Sequence, residues 1–168
     1  MAQQKIDNVI DLCDVDETIV EGASEGSLST THESEPKDRV YLCDDSRFHM
    51  FNDLEWFTDF ERFTDGIKRV IPTADGKEIP IYGEGTVRLC FQQNDQIELR
   101  TAYYAPSIAA NVVSQGQLTG RGYRTKAKGD GDLVLSVFAG WNQYHDYELE
   151  WDSSRQWFMV DAQPYEYM

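Results

Sequence analysis

The sequence predicts a mainly β protein, a small closed β-barrel with one or two short helices and a disordered acidic N-terminal tail. Three observations lead there. From Arg39 onward, short apolar or alternating runs recur at fairly even spacing. Turn-forming clusters separate them, and Asp75-Gly76 is the strongest hairpin signal among these. Residues 1–37 differ in kind, with nine acidic residues against Lys5 and Lys37. Their second half, 21-EGASEGSLSTTHESEPK-37, has no aromatic residue and too little apolar surface to offset the entropy of ordering.

The elements follow in order. In 6-IDNVIDLCDVDETIV-20, Ile6, Val9, Ile10 and Cys13 fall at helical spacing, so a short helix or partner-binding peptide is expected within the tail. The folded domain is expected over 38–163. 39-RVYLC-43 reads as an apolar strand. 53-DLEWFTDFERF-63 reads as an amphipathic helix with Asp53 as N-cap, Leu54, Phe57 and Phe60 inward and Trp56 exposed. Residues 67–92 hold two or three strands around Asp75-Gly76, and 96-QIELRTAYYA-105 alternates as a strand up to Pro106. 111-NVVS-114 reads as a buried strand leading into a helical turn capped by Ser114 and stopped at Gly120 and Gly122. Four strands are expected over 123–161, with Trp141, Tyr144, Tyr147, Trp151, Trp157 and Phe158 mainly in the core or in cross-strand pairs.

Composition narrows the function. The 168 residues are 40% hydrophobic, enough for one core, and carry a net charge of −15. Such a surface repels phosphates, so no nucleic-acid partner is expected. No apolar run approaches the ~20 residues of a membrane span. The start MAQQKIDNVI lacks the pattern of a secretory leader. Cys13, Cys43 and Cys90 read as free thiols in a reducing compartment, hence an intracellular protein, cytoplasmic or nuclear. His32, His49 and His145 stand apart, without metal-ligand spacing, so neither metal nor cofactor is expected. His49 reads as a surface or capping residue.

The one stretch suggestive of chemistry is 40-VYLCDDSRFHMFNDLEWF-57, where Asp44 and Asp45 are candidate catalytic carboxylates. Together with 14-DVDETIV-20 it has the acidic pattern of a phosphoryl-transfer site. Such a site needs a doubly wound sheet between its two motifs, and residues 21–39 cannot supply one.

Several spaced segments carry a resemblance: 48-FHMFNDLEWFTDF-60, 74-ADGKEIP-80, 83-GEGTVRL-89 and 104-YAPSIAANVVSQGQLTGRGY-123. In this order they resemble the protease-like β-barrel domain of copia-type retrotransposon Pol polyproteins. The resemblance implies a retropepsin-related fold, in which two subunits each give one Asp to a shared site and the pair shares a proton. It also implies that the hairpin ending in Gly83-Glu84-Gly85 sits where such proteins carry a flap over the groove, with Trp56 as a further groove candidate, and that the apolar strand 111-NVVS-114 packs beneath the catalytic loop.

The family loop Asp-Ser-Gly-Ala-Ser/Thr-x-His-Met is not intact here. Counting back from His49-Met50 puts Cys43 at the catalytic position; counting from Tyr41 puts Asp44 there; anchoring on Asp45-Ser46 puts Arg47 where Gly is required. Crowding Asp44 and Asp45 from two subunits around one axis would be costly, and a long Arg cannot replace the tight-loop Gly. The expectation is a retrotransposon-derived pseudoenzyme that binds a protein or peptide partner. The alternative is a retropepsin-type aspartic endopeptidase working as a homodimer. The strands beyond Tyr123 go past a minimal protomer and favour a monomer slightly. Asp44 and Asp45 then read as turn residues bonded to local backbone, and Cys43 as a small buried hydrophobe.

Overall fold

The computed structural model describes residues 39–73, 75–129, 132–140 and 143–165. The expected acidic tail over 1–37, its helix-spaced segment 6–20 and Trp141 lie outside the described residues. Among the described residues the chain is mainly β, as expected. Its strands are β1 (Val40–Cys43), β2 (His49–Phe51), β3 (Phe57–Arg62), β4 (Arg69–Pro72), β5 (Glu78–Ile81), β6 (Gly83–Cys90), β7 (Gln96–Tyr104) and β8 (Asn111–Ser114). After helix α1 (Gln115–Gly120) come β9 (Arg124–Lys128), β10 (Asp132–Gly140), β11 (Gln143–Asp152), β12 (Trp157–Val160) and β13 (Gln163–Pro164).

One large sheet runs in the order β13-β6-β7-β2-β8-β1-β12-β11-β10-β9, with β3 also paired to β6. β4 and β5 form a separate hairpin. β1 lies at the centre, parallel to β8 (Cys43 opposite Ser114) and antiparallel to β12 (Val40 opposite Val160).

The central strands are buried on both faces, which is why they read as continuous apolar runs. Alternate residues serve different cores. Val40 and Leu42 of β1, Phe51 of β2 and Val113 of β8 face the first core. Tyr41, Cys43, Met50 and Val112 face the second. In the first, Val87, Leu89, Ile97 and Leu99 from one end of the sheet meet Leu135, Val137 and Leu149 from the other. The sheet is therefore curled around this core as a barrel. The second core is covered by Ile71 and Ile79 of the β4–β5 hairpin, by Ile108 and Ala110, and by Trp157.

Polar contacts fasten the two ends of the curl. The Tyr147 hydroxyl donates to the Gln92 carbonyl at 2.7 Å and lies 2.6 Å from Asp95 Oδ2, which also lies 2.6 Å from His145 Nδ1. The Tyr147 ring packs on Phe91 at 4.7 Å. Arg121 Nη1 donates to the Glu98 carbonyl at 2.9 Å.

The hairpin expected at Asp75-Gly76 is present. Thr73 N donates to the Lys77 carbonyl at 2.9 Å, and Gly76 takes φ +84°. Ser114 caps α1 by accepting from Gln117 N at 3.3 Å. Four strands, β9 to β12, lie within 123–161, as expected, and the two-residue β13 follows them. Trp157 is buried, and Trp151 forms a cross-strand pair with Phe158 at 4.9 Å.

The helix expected over 53–63 is absent. Asp53 does cap, accepting from Glu55 N, but only a 3-10 turn of Leu54–Trp56 follows, and then strand β3. Leu54 is exposed, and Trp56, expected outside, is 3% exposed and packs against Phe51 at 5.5 Å.

Candidate functional site

The loop after β1 follows directly from the strand order. β1 and β8 run in parallel and end level, so the turn leaving Cys43 lies over the start of α1. Ser114 joins the two. Its hydroxyl donates to the Ser46 carbonyl at 2.7 Å while accepting from Gln117 N. Gln117 Nε2 donates to the Arg47 carbonyl at 2.7 Å, and Ser46 Oγ donates to the Phe48 carbonyl at 2.7 Å. The apolar strand expected beneath this loop, 111-NVVS-114, is therefore in place as β8.

His49 completes the arrangement from below. It is fully buried, and its Nδ1 accepts the backbone N–H of Ser114 at 3.0 Å. An accepting Nδ1 puts the ring proton on Nε2, which has no hydrogen-bond partner among the described residues. Burial, aided by the charge of Arg121, lowers the His49 pKa to about 4. The surface or capping role expected of His49 is corrected: β2 carries it inward, between β7 and β8.

Cys43 is 1% exposed, at the end of β1. Burial pushes the thiol pKa up, and the charges of Asp44 and Asp45 push it the same way. A reactive cysteine needs the reverse, a nearby cation or base and access to solvent. His49 does not supply the base, since its accepting nitrogen is committed to Ser114. Cys43 is a buried small hydrophobe, as the sequence suggested.

Asp44 and Asp45 are both exposed. Neither side chain makes a hydrogen bond or ion pair with a described residue, so the local backbone bonds expected of them are not formed. Arg47 is exposed as well.

The remaining candidates lie elsewhere. Gly83, Glu84 and Gly85 follow the β4–β5 hairpin and open β6, flanked by β3 and β7. A Cβ on Gly85 would run into the Asp59 carbonyl, and one on Gly83 into the Phe60 ring. These two glycines allow β3 to approach. Trp56 belongs to the first core and Cys43 to the second, so the sheet separates them. The hairpin that lies against the Cys43 side is β4–β5, through Ile71 and Ile79.

The sequence reading missed the Ser46–Ser114–His49 arrangement and the Asp95–His145–Tyr147 group. Ser114 was legible as a cap, but its bond to Ser46 spans 68 positions and leaves no local signal.

Among the described residues, no group of three or more His, Cys, Asp or Glu side chains is placed to hold a metal ion. No helix among them is long and apolar enough to cross a membrane.

No curated protein and no solved structure matches the chain. A family model does match, over residues 28–123, more than half of the 168. The matched stretch takes in β1 to β8 and α1 and stops just before β9. The chain thus belongs to the family described as Pol polyprotein, beta-barrel domain.

Proposed function

We propose that this chain is a copia-type, aspartic protease-like domain that has lost proteolysis and works by binding a protein or an extended peptide. The observation that carries this reading is the end of β1. There the buried side chain is the neutral Cys43 thiol, while Asp44 and Asp45 stand in solvent. An aspartic protease needs two carboxylates held close enough to share one proton. Exposed carboxylates without a partner among the described residues have no such constraint.

Two further features support the reading. The β4–β5 hairpin lies on the core that contains Cys43 and helps close it from solvent. β12 occupies the side of β1 away from β8, an edge that would otherwise be open to a second subunit, which favours a monomer. The free thiols Cys43 and Cys90 suit a reducing compartment, the cytoplasm or nucleus.

The test is solution mass read together with peptide retention. A monomer of 19.3 kDa that retains extended peptides uncut fits the proposal. A dimer that releases cut fragments contradicts it and favours the homodimeric endopeptidase.

A further inference from the structure

Among the described residues, three strands of the main sheet have a single hydrogen-bonding partner each: the two-residue β13 and the longer β3, both paired to β6, and β9, paired to β10, so that β3 and β9 leave the two long open edges. Open edges invite added strands, and proteins blunt them with charge. The two edges differ in how their charges are satisfied. On β9, Lys126 pairs with Asp146 at 3.6 Å, Lys128 pairs with Glu148, and Arg124 lies over the Tyr144 ring. That edge is balanced within its own sheet.

The β3 edge is not. Asp59 and Glu61 are exposed, two residues apart, with no hydrogen bond or ion pair to a described residue. Glu61 sits directly opposite Glu84 of β6, which is exposed and equally unpaired. Like charges facing each other across a ladder repel. Arg62, the cation of this strand, makes no ion pair with any of the three. Among the described residues the edge therefore combines unpaired backbone with carboxylates at strand spacing that have no ion-pair partner, the Arg88 and Arg100 near Asp59 being paired with Glu98.

We propose that the free edge of β3 takes up an extended, lysine- or arginine-bearing peptide as an added strand. Main-chain hydrogen bonds to Phe57–Arg62 would hold it, and cations at alternate positions would meet Asp59, Glu61 and Glu84. The net charge of −15 draws such a ligand in and disfavours both a second copy and the chain's own acidic residues 1–37 as occupant. This edge lies apart from the loop after β1 and does not depend on what that loop does.

The experiment uses the full chain and three octapeptides: alternating Lys and Val, the same peptide N-methylated at alternate residues, and a Glu–Val counterpart. Binding is read by fluorescence anisotropy, and the location by amide hydrogen exchange. The Lys–Val peptide is expected to bind and to protect amides of Phe57–Arg62. The other two should bind at least tenfold more weakly. Asp59→Asn with Glu61→Gln should weaken Lys–Val binding at least tenfold, while Asp44→Asn with Asp45→Asn leaves it unchanged. Equal binding of the N-methylated peptide would reduce the effect to bulk charge and overturn the proposal. So would absence of Lys–Val binding at low salt, protection on β9 instead, or protection of β3 by self-association without peptide.

Discussion

His49 Nδ1 accepts the backbone N–H of Ser114 at 3.0 Å, and the Ser114 hydroxyl donates to the Ser46 carbonyl at 2.7 Å. The buried imidazole thus holds the residue that holds the loop after β1. The imidazole can do this only while neutral, because a protonated Nδ1 has no lone pair to offer.

Acid should therefore loosen the protein. The unfolded chain takes up a proton at His49 near the ordinary value of about 6.5, whereas the folded protein does so only at about 4. The folded-state pKa is depressed, so this contribution to stability is complete above about pH 6.5 and declines as pH falls toward about 4, by roughly 3 kcal/mol in all. Denaturant unfolding across that window measures it. His49→Leu should flatten the slope; an unchanged slope would assign the effect to other groups.

Ser114→Ala removes the cap of α1 and the bond to Ser46 together. A loss of about 2 kcal/mol is expected, combining a cap with a second hydrogen bond. Amide exchange over 44–47 should speed up more than exchange in β10 and β11. Uniform acceleration would mean that Ser114 does not hold the loop in particular.

Gly85→Ala should cost about 3 kcal/mol, near the upper end for a side chain forced into packed space. The added methyl meets the Asp59 carbonyl, so β3 must move off β6. Gly120→Ala, where a Cβ meets nothing within 4 Å, serves as the comparison and should be close to neutral. Thermal unfolding of the two variants distinguishes a packing requirement from a general intolerance of Gly replacement.

Asp95 holds both His145 and Tyr147 across the seam of the barrel, and its side chain is only 9% exposed. Burial, followed by the bond and charge of Asp95, pushes the Tyr147 pKa upward. Asp95→Asn should bring that ionisation back toward the ordinary tyrosine range and destabilise the fold by about 2 kcal/mol. Ultraviolet titration of the phenolates against wild type reads the first effect, and denaturant unfolding the second. A titration curve identical to wild type would remove Asp95 as a cause.

Much of this fold was readable where a local signal matches a local structure. Asp75-Gly76 gave the β4–β5 turn, Ser114 the cap of α1, and 39-RVYLC-43 the central strand. The helix read over 53–63 failed for a specific reason. A bulge between Phe57 and Asp59 shifts the register of β3 against β6. Phe57 and Phe60 consequently come together, with ring centroids 5.3 Å apart, although they are three positions apart in sequence. That is a helical spacing produced by an irregular strand. Trp56 was misplaced by the same error.

The site was less legible than the fold. The end of β1 could be located, and Cys43 could be read as buried. Burial of His49 could not be read, because its partner Ser114 lies 65 positions away. The close approach of β3 to Gly83 and Gly85 left no local signal, because Asp59 and Phe60 lie more than twenty positions away in sequence.

The most direct test of the account is the rate of peptide hydrolysis by the purified chain across acidic pH, against Asp44→Asn with Asp45→Asn. With the Cys43 thiol buried at the end of β1 and both aspartates in solvent, the two proteins should be equally inactive. Turnover by the wild-type chain that disappears in the double variant would contradict it.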